Sequence, residues 1–465
     1  MSKILVVIPP YVLGEDNRAV LPHKAMLPVG PLVVAGQLRD RGHEIEVLVL
    51  VFQEEWWQVL PEVAPDILLL SCHTVRNIPC CIAVLDRLRA IWGHKPHTVL
   101  GDNSCLHLGV EDFERLGLKV SAVVRGFGHA QNVIEAIENQ QTGDIIPFEV
   151  SGDLPMPALD LLPFPVHHKY LTASQGKYPL YAFGLGCHWY KQCGETYCAA
   201  DMDSPWLPRH AQVYREIAYA GILGYKHLWC VDNLLFTDQL ATMKFDRACA
   251  SLSLTWSGMT RVELVCKLPQ GFLQQLTALT DVAMGVEAVA KDILQDIARS
   301  TKRHQILEAF QMVQEAGKSA TAFAMLDLAR STDQDFWRLM EFLEDLAEQT
   351  DTASRKSFNV SMSFYNPRAQ EIAEGRASPK DCGFYRWPLG YSAVPPTRAV
   401  QHAMFLFGRW WKHPGWTPDY RNPFFETDTE FGVNFQEGRI LQEKGARDPA
   451  GDLWETWWTE ERRSL

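Results

Sequence analysis

Short, nearly continuous apolar runs alternate with longer stretches of helical period along the first 140 residues. Ile4–Ile8 is an apolar run of buried-strand type, and Pro28–Gly42 reads as a helix that starts at a proline and stops at a glycine. Glu44–Leu50, Asp66–Ser71, Thr98–Gly101 and Ala122–Gly126 are the further strand candidates, with helical patterns at about 78–92, 107–117 and 129–139 between them. Strands that are apolar on both faces and separated by helices predict a parallel, doubly wound sheet. Ligands of such sheets bind beyond the carboxyl ends of the strands. Here those ends carry Pro9-Pro10, Ser71-Cys72-His73-Thr74, Gly101-Asp102-Asn103-Ser104 and Gly126-Phe127-Gly128-His129. Small and polar residues thus recur where backbone has to approach a ligand.

Residues 141–176 are rich in proline and lack steady periodicity, which reads as a linker. A second alternating series follows. Its strand candidates are Leu180–Gly184, His227–Val231, Val262–Lys267, Val282–Val286, Thr321–Asp327 and Asn359–Phe364. Helical patterns lie between them at Gln212–Ala220, Ala290–Ala298, Gln305–Ala316 and Phe336–Ala347. Such a succession of βα units predicts a complete or partial (β/α) barrel over 177–368, with its site at the carboxyl ends of the strands. From 369 to 465 the periodicity is lost and aromatic residues accumulate, among them Tyr385, Trp387, Tyr391, Trp410, Trp411, Trp416, Trp454, Trp457 and Trp458. This segment is either a cap over the barrel mouth or a packing extension on the barrel surface. The expected fold class is therefore α/β: a Rossmann-like doubly wound domain over 1–140, the linker, the barrel, and the aromatic-rich C-terminal region.

Composition narrows the partners. At 465 residues the chain is longer than one compact core supports. A formal net charge of −12 argues against a nucleic-acid partner, which calls for a basic surface. The apolar start Met1–Ile8 ends at Pro9-Pro10 and lacks the length and cleavage site of a signal peptide. No stretch approaches about 18 uninterrupted apolar residues, so no membrane span is expected. The 11 scattered cysteines without an export signal point to a reducing, cytoplasmic setting and away from disulfides.

Three of those cysteines carry the chemistry. Cys187, Cys193 and Cys198 fall in one loop directly after the strand-like run Tyr178–Gly186. Three thiolates in one short loop are what an iron–sulfur cluster needs when a fourth iron stays open to an outside ligand. The alternative is a set of ordinary thiols in a degenerate loop. His167-His168 and Cys80-Cys81 show no metal-ligand spacing with partners and read as structural.

From residue 1 to about 367 the chain resembles the cobalamin-dependent radical S-adenosylmethionine (SAM) enzymes, in domain order and in several local matches. In that family the cluster loop follows the first barrel strand and an aromatic residue precedes its last cysteine, as Tyr197 precedes Cys198 here. The resemblance implies a [4Fe-4S] cluster on the three cysteines, with SAM on the fourth iron. The spacing departs from the usual pattern, which has two residues between the second and third cysteines; that slot holds Glu195. Either Cys193 reaches the cluster through a rearranged loop or Glu195 supplies a carboxylate, and thiolate suits iron–sulfur clusters better. Asp232 and Asn233, with Phe236 close behind, resemble the family's second strand end, and Lys267-Leu268-Pro269-Gln270 is expected to end the third strand. Met284-Gly285-Val286-Glu287 resembles the "G-x-E" segment whose backbone and carboxylate help hold SAM. For Asp232 and Glu287 a salt bridge between barrel loops is the structural alternative.

The first domain resembles a cobalamin-binding fold. Ser71 and Gly101 stand at a spacing close to that of the family's serine and glycine, which frame the nucleotide tail; Asp102 replaces the second glycine, and Gly126-Phe127-Gly128-His129 replaces G-E-x-E. The D-x-H-x-x-G loop of the mutases is absent, Glu15-Asp16-Asn17-Arg18 standing in its place. The resemblance then implies cobalamin bound base-off without a histidine on cobalt, with His73, Thr74, Val75 and Arg76 near the lower face of the corrin. A lone loop histidine such as His73 is more often a hydrogen-bonded surface group than a metal ligand.

The activity this resemblance implies is C-methylation of an unactivated carbon of a peptide or small metabolite, through a 5′-deoxyadenosyl radical and methylcobalamin. A flavodoxin- or ferredoxin-type protein would be the external electron donor. Rearrangement or cyclisation, or an accessory protein without a cluster, are the alternatives.

Overall fold

The computed structural model describes residues 1–364 except 12, 14–16, 20, 22–24, 74–76, 103–104, 106–107, 149, 151–153, 187–205, 209–211, 233, 291–293, 295–300, 327–332 and 351–357; beyond 364 it describes 385–387, 390–392, 433–434 and 439–440. The chain divides into two compact units, the first of residues 1–190, 199–226 and 367–379, the second of 191–198, 227–366 and 380–465.

The first unit is built on six parallel strands: β1 (Lys3–Ile8), β2 (Glu44–Val49), β3 (Ile67–Ser71), β4 (His97–Gly101), β5 (Ala122–Val124) and β6 (Gly143–Ile145). They run in the order β2-β1-β3-β4-β5-β6. The crossovers carry α1 (Val29–Asp40), α2 (Ile78–Trp92), α3 (Val110–Arg115) and α4 (Gln131–Glu138). Every residue of β3 is buried, whereas edge strand β2 alternates in its first half. That is why the central strands read as unbroken apolar runs. Leu68, Leu70, Leu85, Leu88, Leu100, Phe113 and Val123 form one continuous core between sheet and helices. The punctuation is local chemistry: Pro79 opens α2, and Gly93, at φ 70°, lets the amide return to the Arg89 carbonyl at its end.

The segment read as a linker does more than connect. Gly143–Ile145 adds a sixth strand to this sheet beyond the expected boundary at 140, and Phe164–Ala173 forms α5. The backbone around Ala158 also docks on α1, where Gly36 leaves room for the Ala158 methyl, 3.2 Å from where a Cβ on Gly36 would lie. His167 on α5 is buried against Tyr225, with Nε2 and the phenol oxygen 3.3 Å apart, in keeping with a structural role. Then come β7 (Lys177–Leu180), β8 (Gly184–Leu185), β9 (Leu207–Pro208) and α6 (Gln212–Ile222).

The second unit contributes five consecutive parallel strands to the second sheet: β10 (His227–Cys230), β11 (Thr255–Arg261), β12 (Leu279–Glu287), β13 (Ser319–Leu326) and β14 (Phe358–Phe364). Helices α7 (Gln239–Ser251), α8 (Val262–Val265), α9 (Phe272–Gln275), Arg303–Glu315 and Asp333–Thr350 separate them. One expectation is corrected. Val262–Lys267 is not the third strand: Val262–Val265 is a helical turn, and the strand is Thr255–Arg261 before it. Apart from Trp256, its buried positions are small or polar rather than aliphatic. Ser257 pairs with Nε2 of His227 at 2.5 Å, Thr260 donates to the Leu235 carbonyl at 3.1 Å, and Gly258 admits Cys230 so closely that a Cβ there would lie 2.9 Å from its Cβ. The third strand therefore ends at Arg261, not at Lys267-Leu268-Pro269-Gln270. Within the C-terminal region, Tyr385–Trp387 pairs antiparallel with Gly390–Ser392, and Val433–Asn434 with Arg439–Ile440. The remaining tail aromatics lie outside the described residues. Among the described residues no helix is long and apolar enough to cross a membrane.

Candidate functional sites at the strand ends

In the first unit the carboxyl ends of β3 and β4 are tied together. The Cys72 amide donates to the Gly101 carbonyl at 2.9 Å, and the Ser71 hydroxyl donates to Oδ2 of Asp102 at 2.7 Å. The second oxygen of Asp102, Oδ1, lies 3.2 Å from Nδ1 of His73. Ser71, Asp102 and His73 are thus one hydrogen-bonded relay on two adjacent strand ends, although Asp102 stands 31 positions from Ser71 and 29 from His73 in the chain. Asp102 has φ 94°, a region that favours glycine, so its carboxylate is held there at a local cost of about 1–3 kcal/mol.

Desolvation by surrounding atoms works against a charged His73 ring, but the Asp102 carboxylate and its hydrogen bond outweigh it and raise the pKa above the ordinary 6.5. The pair's contribution to stability is thus complete below pH 6.5 and is lost as pH climbs through the raised value. An NMR titration should place the His73 midpoint above 6.5 in the wild type and lower it in Asp102→Asn. A midpoint unmoved by the substitution would contradict the pairing.

The three glycines of this edge are not equivalent. A Cβ on Gly126, at φ 139°, would lie 2.6 Å from Cγ of Pro147, and one on Gly128 would lie 2.9 Å from Val34 of α1. Packing accounts for both. Among the described residues nothing lies within 4 Å of the Gly101 Cβ position. Thr74 and Val75 lie outside the described residues. Beneath the site Cys80 and Cys81 are buried on α2; burial, then the neighbouring Cys72 sulfur, pushes the Cys80 thiol up to about 12. These are inert packing thiols.

The cysteine loop leaves β8. The ribbon pairs Gly184 with Pro208 and Leu185 with Leu207, so the segment between them departs from and returns to one point. A Cβ on Gly184 would overlap the Trp206 indole and come 2.8 Å from the Leu207 carbonyl oxygen, so only glycine fits this crossing. Gly186, at φ 77°, turns the chain out of the ribbon. Cys187, Cys193, Glu195, Tyr197 and Cys198 themselves lie outside the described residues. Among the described residues no group of three or more His, Cys, Asp or Glu side chains is placed to hold a metal ion.

In the second unit polar groups gather at the carboxyl ends of β10, β11 and β12. Asp232, 2% exposed, follows β10, and its charge adds to burial in raising the Cys230 thiol pKa. Glu287, 7% exposed, closes β12 at φ 59°. The ladder with β13 slips between Gly285 and Glu287, Gly285 facing Phe323 and Glu287 facing Ala324. This is a β-bulge at the strand end, a device that re-aims a side chain beside a site. Gly285 is paired with Arg261, the last residue of β11. Arg261 Nε lies 3.4 Å from Glu263, whose other oxygen accepts the Thr301 hydroxyl at 2.6 Å. Burial opposes the charge on Glu263, but the Thr301 hydroxyl and Arg261 prevail and hold its carboxyl below the usual range.

Sequence reading missed Arg261, Glu263 and Thr301. The misplaced third strand hid the first two, whose signal was a charged pair just after the apolar-to-polar switch at Thr260.

The donor sets fit the groups that the sequence resemblance implies. Buried carboxylates flanking a guanidinium match a ligand with hydroxyls, an ammonium and a carboxylate. A hydroxyl, a carboxylate and an imidazole beside Gly101 at the strand ends match a large polar-edged cofactor.

No family model and no curated protein matches this chain. Solved structures do. The radical S-adenosylmethionine methyltransferase TsrM from Kitasatospora setae, with cobalamin and a [4Fe-4S] cluster bound, is 12% identical, with TM-score 0.57 over 81% of this chain and 75% of that one. A second TsrM structure, holding tryptophan substrate and a SAM analogue, is 13% identical, with TM-score 0.57 over 80% and 76%. The cobalamin-dependent S-adenosylmethionine radical enzyme OxsB, with aqua-cobalamin and SAM, is 13% identical, with TM-score 0.57 over 99% of this chain and 67% of that one. At such identities the likeness is one of fold, and it covers the two parallel α/β sheets that the sequence led one to expect.

Proposed function

We propose that this chain is a cobalamin-dependent radical SAM enzyme, and that it transfers a methyl group to an unactivated carbon of a peptide or small metabolite. The observation that carries the reading is the β8–β9 ribbon. It closes the base of a loop holding Cys187, Cys193 and Cys198, in a chain whose fold is that of TsrM and OxsB. Three thiols there suit a four-iron cluster with one iron left to SAM, Cys193 being preferred to Glu195 as the third ligand and Tyr197 flanking the last. When bound, the cluster supplies the electron for reductive cleavage of SAM, and cobalamin carries the methyl group.

The chain's own residues bind and orient. Asp232 and Glu287 accept hydrogen bonds from the ammonium and hydroxyls of SAM, Arg261 faces its carboxylate, and Gly285 keeps the approach to the β12 backbone clear. Ser71, His73, Thr74, Val75, Gly101 and Asp102 border cobalamin, while Gly126 and Gly128 let the neighbouring loop pack close. A flavodoxin- or ferredoxin-type donor supplies the electron.

The test is anaerobic reconstitution of the full chain with iron, sulfide, cobalamin and SAM, addition of a low-potential reductant, and mass analysis of products from candidate substrates. A gain of one methyl together with cleavage of SAM is expected; no cleavage of SAM would refute the reading. The likeness to OxsB, which is not named for methyl transfer, equals that to TsrM, so rearrangement or ring closure is the second reading. A product without the added methyl, unchanged in mass for rearrangement or two hydrogens lighter for ring closure, would select it.

A further inference from the structure

We infer that His73 is a metal ligand to bound cobalamin through Nε2, oriented by Asp102 and, behind it, by Ser71. The inference rests on the cobalamin reading and goes beyond it. A histidine that ligates a metal through one ring nitrogen characteristically gives the N–H of the other to a carboxylate, which is itself hydrogen-bonded. This arrangement is present at the end of β3. Nδ1 of His73 lies 3.2 Å from Oδ1 of Asp102, and Oδ2 of the same carboxylate accepts the Ser71 hydroxyl at 2.7 Å. With Nδ1 so engaged, the tautomer leaves the Nε2 lone pair free to ligate.

Three further observations favour this over a surface ion pair. The His73 side chain is 50% exposed while Asp102 is 17% exposed, so the carboxylate is set in and the ring reaches outward. Asp102 keeps a backbone conformation of φ 94° that glycine would adopt without strain, and what the strain secures is a carboxylate between Ser71 and His73. The relay stands on adjacent strand ends locked by the Cys72–Gly101 hydrogen bond, at the edge of a parallel sheet where ligands bind. His73 is then the ligand; Asp102 and Ser71 are positioning residues.

Electron paramagnetic resonance of the full chain loaded with cob(II)alamin tests this without turnover. Nitrogen-14 on cobalt splits the high-field lines into three, and nitrogen-15 splits them into two. Protein labelled with ¹⁵N only at histidine should show the two-line pattern, and His73→Ala should bind cobalamin but lose it. Asp102→Asn should keep the two lines, weaken cobalamin binding about 10–100-fold, and raise the Co(II)/Co(I) potential because the ring becomes a poorer donor. Bound cobalamin whose lines are unaffected by the label, or a two-line pattern that persists in His73→Ala, would overturn the assignment and leave the cobalamin reading intact. Failure of the wild type to bind cobalamin at all would sink both.

Discussion

Asp246→Ala is expected to destabilise the second unit by at least about 4 kcal/mol. Asp246 lies on α7 and is 2% exposed. Its Oδ1 accepts three N–H groups: Trp256 Nε1 at 2.8 Å, and the amides of Ala278 and Leu279 at 3.0 Å each. Oδ2 accepts the Thr277 hydroxyl at 3.4 Å. One carboxylate therefore fastens a helix to β11 and to the turn that enters β12. Each buried donor left without an acceptor costs about 1–3 kcal/mol, and the fully buried Trp256 indole and the two amides have no route to water without local opening. Asp246→Asn keeps one oxygen and should fall between alanine and wild type. Equilibrium urea unfolding of the full chain is the check. A loss under about 1 kcal/mol for the alanine variant would mean that these donors find other partners.

The second large effect is on ligand binding. Glu287→Gln preserves shape and removes charge from a carboxylate that a bulge and a left-handed backbone aim at the end of β12. If Glu287 binds SAM, losing a charge-assisted hydrogen bond of about 1.5–3 kcal/mol weakens SAM affinity roughly 10–100-fold. Glu287→Gly separates binding from folding: the φ of 59° costs a non-glycine residue about 1 kcal/mol or more, which glycine relieves while binding is still lost. Calorimetric titration with SAM, alongside urea unfolding, reads both. Unchanged affinity in the glutamine variant would assign Glu287 to a structural bridge.

These expectations draw on features that differ in how plainly the chain displays them. The first sheet was readable because its central strands are buried on both faces, so that Ile67–Ser71 cannot be other than apolar in its core. Gly143–Ile145 was not, since a three-residue edge strand with Asp144 in the middle carries no pattern. β11 was misplaced for a physical reason: besides Trp256 its buried positions are Ser257, Gly258 and Thr260, made tolerable by His227, Cys230 and the Leu235 carbonyl. Periodicity counts apolar residues and is blind to a polar group satisfied by a distant partner. The same blindness hid α7, whose buried side includes Thr242 and Asp246.

The strand-end motifs were legible by type. Ser71, Gly101, Asp102, Gly285 and Glu287 all fall at the carboxyl ends of parallel strands. The relay from Ser71 through Asp102 to His73 was not, because it depends on the register of β3 against β4.

The whole account turns on whether the loop closed by Gly184–Leu185 and Leu207–Pro208 grips iron. Iron and sulfide should be counted after anaerobic reconstitution of the wild type and of Cys187→Ala. The expected result is about four irons per wild-type chain, with most of that iron and all SAM cleavage lost in the variant. Equal iron in both proteins, or none in the wild type, would contradict it.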